Sequence, residues 1–278
     1  MINVLREIDS LIEFLEAKKR KVSPAIVKKL MGKLARQRGD LAKNFEPVLV
    51  KVLEMMGEQA EIAFKQYQAI KRESLRESDS DIIRWILEEL NLAKWIIPEF
   101  KAKYEQFYQE VYHATFGTIS DTIGGQIGLT LGSADEAVRK VIAAGGKRVG
   151  LLDLESQVKD KLFDVLAQGR DNGLGVEALA RLIRAAIPAG PWQSVKYRAE
   201  VIAKTETKYA QNVSAIESYK QSDAVTGLQA MDNLTGFDDP ECTARDGEVF
   251  SFDDAEQETD NEHPNGTLTW APYIGDDI

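Results

Sequence analysis

A chain of 278 residues with 44% apolar and 29% charged side chains can bury a full core and divides more naturally into two regions than one. Its single cysteine, Cys242, excludes an intrachain disulfide and fits a reducing compartment. No apolar run approaches the roughly 20 residues of a membrane helix, and the charged opening, MINVLREIDSLIEFLEAKKRK, lacks the apolar stretch of a signal peptide. The net charge of −10 is uneven. From Asp232 onward 14 acidic residues face one basic residue, Arg245. Between Lys18 and Lys43 the balance reverses: Lys18, Lys19, Arg20, Lys21, Lys28, Lys29, Lys33, Arg36, Arg38 and Lys43 face Asp40 alone. A basic front and an acidic end suit two different partners, or simply a solvated helix face and a solubilising tail.

Helical periodicity dominates up to about residue 220. Ile8, Leu11, Ile12 and Leu15 form one stripe. Ser23 and Pro24 start a second helix as N-cap and first residue. A further segment runs from about Asp40 through Arg72, with an expected kink at Pro47. Ser80 or Asp81 caps the next helix, striped by Ile83, Ile86, Leu87 and Leu90. Pro98 begins another, through Tyr112, whose Phe100, Tyr104, Phe107, Tyr108 and Tyr112 suit core packing at helical spacing.

Residues 117–150 are glycine-dense and read as a connection around a short helix, Ala134 to Ala144, capped by Ser133. Gly145-Gly146-Lys147-Arg148 is not a phosphate loop, because Val141 and Arg148 stand where that motif needs glycine and Ser or Thr. Helices resume with Val158, Leu162, Val165 and Leu166, and GRDNGLG supplies glycine caps. Val176, Leu179, Ala180 and Ile183 follow, broken by Pro188 and Gly190-Pro191. A long helix then reaches about Ser222. After it AVTGLQAMDNLTG, GEVFSF and GTLTWAPYI read as strands separated by acidic turns. The expected architecture is mainly α with a small C-terminal α+β unit. It divides into a helical region 1–116, the connection 117–150, and a unit 151–278 in which helices pack on a short antiparallel sheet.

Within that unit RAEVIAKTE (198–206), then Asp232, Cys242, Asp246-Gly247 and His263-Pro264-Asn265, stand in an order that resembles the Mu F-like family of phage minor head (head morphogenesis) proteins. The resemblance covers about 155–274. It implies a non-enzymatic virion protein, made in the host cytoplasm and placed at the capsid interior or portal vertex. Portal protein and major capsid or scaffolding protein would be its partners, and double-stranded DNA would meet Lys18 to Lys43. The motif residues Arg198, Thr205, Glu206, Asp232, Cys242, Asp246, Gly247, His263, Pro264 and Asn265 would then be structural. The family often carries a cysteine directly after His-Pro-Asn; here Gly266 stands there.

The residue chemistry agrees with bracing. Thr205 and Glu206 can offer a hydroxyl and a carboxylate to the strand unit. Asp246-Gly247 suits a hairpin turn. His263-Pro264-Asn265-Gly266 suits a turn whose imidazole bonds a loop carbonyl or carboxylate. Cys242 and His263 alone are too few good ligands for zinc, so no metal and no cofactor is expected. Two other classes stay open. One is a His-Asn-type metal nuclease using Asp253, Asp254, Glu262 and His263. The other is a helical scaffolding protein unconnected with phages.

Overall fold

The computed structural model describes residues 22–70, 79–90, 96–129, 154–232, 240–264 and 266–275. Among these residues the chain is mainly helical, with one small sheet near its C-terminus, as expected. The stripe at Ile8–Leu15, the residues Lys18, Lys19, Arg20 and Lys21, the short helix at 134–144, the Gly145–Arg148 stretch and Asn265 lie outside the described residues. Two compact units form, each discontinuous in sequence. One gathers Met1–Leu41, Gln106–Lys147 and Lys204–Ile278; the other gathers Ala42–Glu105 and Arg148–Ala203.

Helix α1 runs unbroken over Pro24–Ile70. The sequence suggested two helices meeting near Asp40, but buried Leu30, Leu34, Ala42, Phe45, Leu49, Val52, Leu53 and Met56 hold the 3.6-residue period straight through. Pro47 sits inside the helix on its exposed side. The cost of its missing N–H, about 3 kcal/mol, is offset by the burial on either side. Helix α2 spans Asp79–Leu90, with Asp79 and Asp81 in its first turn, where carboxylates favour the helix dipole. Helix α3 spans Ile96–Ile119 and passes into a π-helical turn at Ser120–Gly124. The glycine-rich connection therefore begins as helix, because Ile119, Ile123 and Ile127 continue a buried stripe through it. Phe107, Tyr108 and Tyr112 are core residues, as expected; the Phe100 and Tyr104 side chains fall outside what is described.

Helices α4 (Leu154–Asp171) and α5 (Val176–Ala189) pack together in the second unit with the later turns of α1. Gly173 closes α4 at φ +60, with the Leu174 N–H returning to the Gly169 carbonyl at 2.9 Å. Close approach of α1 to α5 depends on Gly57. A Cβ there would strike the Arg184 carbonyl and stand 2.7 Å from Pro188 Cγ. Gly57→Ala is expected to lower stability by about 1–3 kcal/mol by overpacking, seen as a lower urea midpoint at unchanged slope.

Helix α6 (Val195–Tyr219) starts at Ser194, whose hydroxyl accepts from the Tyr197 N–H at 3.1 Å. The sheet in the first unit follows: β1 (Gly227–Met231), β2 (Val249–Phe250) and β3 (Thr269–Tyr273), antiparallel in the order β2-β1-β3. Leu228 faces Phe250 on one side and Pro272 on the other. Trp270 fills the core beneath, edge-on to Phe250 at 5.4 Å and donating to Thr259 Oγ1 at 2.8 Å. The acidic turns expected between the strands hold two helices instead, α7 (Pro240–Arg245) and α8 (Phe252–Asn261). The Ser251 hydroxyl caps α8 by accepting from the Asp254 N–H at 3.2 Å. Asp253 and Asp254 lie in its favourable first turn, and Ala255 and Thr259 supply a minimal buried stripe. Asp246-Gly247 is accordingly not a hairpin. Gly247, at φ +86, follows the end of α7 and leads the chain into β2.

Candidate functional site

From Thr205 onward α6 is buried almost all round, although more than half of its residues there are polar: Thr205, Glu206, Thr207, Lys208, Gln211, Asn212, Ser214, Glu217 and Ser218. Such a helix is stable only if its polar groups are met inside. Glu206 accepts from the Tyr108 hydroxyl of α3 at 2.6 Å. The Gln211 amide donates to the Leu34 carbonyl at 3.0 Å, and the Asn212 amide to the Leu268 carbonyl at 3.0 Å.

Lys208 opens the central cluster. Its ammonium donates to Glu262 Oε1 at 2.8 Å, and both side chains are almost wholly buried. Arg245, from the end of α7, donates to Glu262 Oε2. It also reaches Asp232 at 2.7 and 3.3 Å, and Glu258 of α8 at 3.5 Å. Asp232 in turn accepts from the Thr267 hydroxyl at 3.0 Å, while its own N–H donates to Asp246 at 2.8 Å. A chain of alternating charge, Lys208–Glu262–Arg245–Asp232, thus joins α6, α7, the end of β1 and the approach to β3. Burial drives the Glu262 carboxyl upward, but Lys208 and Arg245 outweigh it and hold the group below the ordinary carboxylate value. Burial likewise opposes the Arg245 charge, and Asp232 with Glu262 more than restores it.

Beside this chain lie the cysteine and the histidine. Cys242, one turn before Arg245, is buried; its Sγ stands 3.4 Å from Arg245 Nη2 and 3.5 Å from His263 Nε2. The exposed His263 ring places Nδ1 2.9 Å from the Pro264 carbonyl. A carbonyl only accepts, so Nδ1 carries the proton and Nε2 turns its lone pair toward the sulfur. The imidazole thus bonds a loop carbonyl, the geometry read from the sequence.

Arg198 belongs to the second unit. Fully buried, it donates to the Pro188 carbonyl at 3.1 Å and to Gln157 Oε1 at 3.0 Å, with its guanidinium carbon 5.1 Å from the Trp192 ring centre. Gly190, at φ +56, passes so close that a Cβ would stand 2.9 Å from Arg198 Nη1.

The basic run divides. Arg38 is half-buried and already bonded within the protein: its Nε donates to Gln211 at 2.8 Å and its Nη2 to Thr269 at 2.6 Å, and burial lowers its pKa to about 10. Lys33 donates to the Thr122 hydroxyl at 3.0 Å. Lys28, Lys29, Arg36 and Lys43 are exposed. Their neighbours on α1 alternate between solvent and core, and net charge along a sequence does not distinguish the two faces.

An open cleft of about 460 Å³ lies against α7, β2 and α8, lined by Glu241, Ala244, Arg245, Glu248, Phe250, Glu258 and Asn261. These lining residues supply carboxylates, one guanidinium, one ring and one amide, without a nucleophile paired to a base. Comparison with protein-family models, curated proteins and solved structures finds no match to this chain.

Proposed function

We propose that this chain is a non-enzymatic minor head protein of a tailed phage, associated with the portal or capsid interior and acting in head assembly or DNA delivery. The observation that supports this reading is the fate of the signature. Glu206, Asp232, Cys242, Asp246 and His263, drawn from separate segments, are all engaged in hydrogen bonds that tie helices and loops of one unit. Groups used this way are braces, and a set of braces in a fixed order is what a shared fold would preserve in sequence. The test is purification of intact particles, with the chain followed by mass spectrometry and by cryo-EM density at the portal vertex. The reading requires the chain in the particle and its co-purification with portal protein. Absence from particles, or plasmid nicking with Mg²⁺ that disappears in His263→Ala, would overturn it.

Among the described residues, contact with packaged DNA falls to the exposed cations of α1, Lys28, Lys29, Arg36 and Lys43, because Arg38 and Lys33 are half-buried and hydrogen-bonded within the protein. Four phosphate contacts give a slope of log affinity against log salt of about −3.6. Arg36→Glu is expected to make the slope shallower by about one contact, and Arg38→Glu to act through stability instead. Duplex retention measured by fluorescence anisotropy across a salt series checks both.

A further inference from the structure

We propose that Cys242, His263 and Glu262 form a binding site for a soft divalent cation of the Zn²⁺ class. Their ligand atoms all lie within 4.8 Å of one another. The sequence reading paired only the first two as zinc ligands, and named Glu262 solely among the carboxylates of the nuclease alternative.

Three observations converge on the site. The Cys242 Sγ to His263 Nε2 separation is 3.5 Å. Tetrahedral zinc, with Zn–S near 2.3 Å and Zn–N near 2.0–2.1 Å, places its sulfur and nitrogen ligands about 3.5 Å apart. The ring orientation is independent of that distance. His263 Nδ1 is committed to the Pro264 carbonyl at 2.9 Å, which leaves Nε2 as the lone-pair nitrogen. Donation of the second ring N–H to a carbonyl is the habitual second contact of a metal-binding histidine. Third, the other two ligands are supported as metal ligands usually are. Arg245 Nη2 stands 3.4 Å from Sγ, and the Glu262 carboxylate is oriented by Lys208 and Arg245.

The ligand set selects the ion. A thiolate and an imidazole favour Zn²⁺ over Mg²⁺ or Ca²⁺, which prefer all-oxygen shells. Binding exchanges the Cys242 S–H bond for a sulfur–metal bond and releases one proton to solvent. The buried cysteine and the exposed histidine give the site a dry side and an entry side. Three protein ligands leave a fourth position for water. The neighbouring Lys208 and Arg245 charges set the affinity below that of an all-cysteine site. This inference does not rest on the head-protein reading; it holds or falls with the purified chain alone.

The test strips the full-length chain with chelator and titrates it with Co²⁺, then Zn²⁺. The expected result is one equivalent of Co²⁺ with an intense near-ultraviolet thiolate charge-transfer band, bleached by Zn²⁺, and a Tm raised by Zn²⁺. His263→Ala, at an exposed position, should keep the circular dichroism of the fold, weaken binding at least about 10-fold and abolish the Zn²⁺ shift in Tm. Cys242→Ser should remove the charge-transfer band. No thiolate band at saturating Co²⁺, or binding of equal strength in folded His263→Ala, would overturn the assignment.

Discussion

Lys208→Met is expected to destabilise the first unit by about 3 kcal/mol, the lower end of what removal of one partner from a buried ion pair costs. The substitution keeps the length and apolar stem of the side chain, so packing around α6 changes little. What it removes is the ammonium 2.8 Å from Glu262 Oε1. Glu262 then keeps Arg245 and the Leu268 N–H at 3.4 Å, which is why the loss stays below the full penalty for an orphaned charge. The informative control is the double variant Lys208→Met with Glu262→Gln. The neutral amide retains hydrogen-bonding capacity and needs no counter-charge, so the pair should recover more than half of the loss. A coupling energy of at least about 1.5 kcal/mol is expected from the cycle, within the range for contacting residues. Urea unfolding in the presence of chelator, which keeps any bound cation out of the comparison, measures it. Additive effects, or a single-variant loss below about 1 kcal/mol, would mean that the charge chain is not what holds α6, α7 and the sheet together.

That cluster shows where the sequence speaks and where it falls silent. Helices with a one-sided apolar stripe are legible, because a 3.6-residue period survives in the letters: Val158, Leu162, Val165 and Leu166 are all buried as read. The segments AVTGLQAMDNLTG and GTLTWAPYI, read as strands, contain β1 and β3, although Trp270, Ala271 and Pro272 are buried in succession and not in alternation. Lys208 is not legible. A lysine in the middle of KTETKYAQ reads as solvated, and only the helix's burial on every side makes it a core residue. One signal was present: Arg245 is the sole basic residue among 14 acidic ones from Asp232 onward, and a lone cation in such a field is drawn into ion pairs. The helices α7 and α8 stayed hidden because α7 is only six residues long, α8 is strongly acidic, and neither is announced by periodicity. What holds α8 is the Ser251 cap and its packing on β1 and β2; what holds α7 is the set of ion pairs made by Arg245 at its end. The basic run failed in the opposite way. Its charge count is correct, but Arg38 and Lys33 point into the protein, and a count carries no direction.

Arg198→Met tests whether the first signature residue is also a brace, and the expected loss is about 2–4 kcal/mol. The guanidinium is fully buried in the second unit, and three contacts disappear together. The Pro188 carbonyl loses its donor at 3.1 Å and Gln157 loses its partner at 3.0 Å; leaving a buried acceptor unmet costs about 1–3 kcal/mol. The contact with the Trp192 ring adds about 0.5–2 kcal/mol. Arg198→Lys should recover little. An ammonium is a point donor and cannot serve a carbonyl, an amide oxygen and a ring face from one planar group. The loop would register the change locally: Gly190, held at φ +56 against Arg198 Nη1, loses the group it packs on, and the Trp192 indole resonance should shift in both variants. The outcome separates two meanings of the signature. If Arg198 recognises a partner, the variants keep wild-type stability and lose only co-purification with portal protein. If it braces the α5–α6 corner, urea unfolding shows the loss in the isolated chain, with no partner present, and the buried geometry requires the second result.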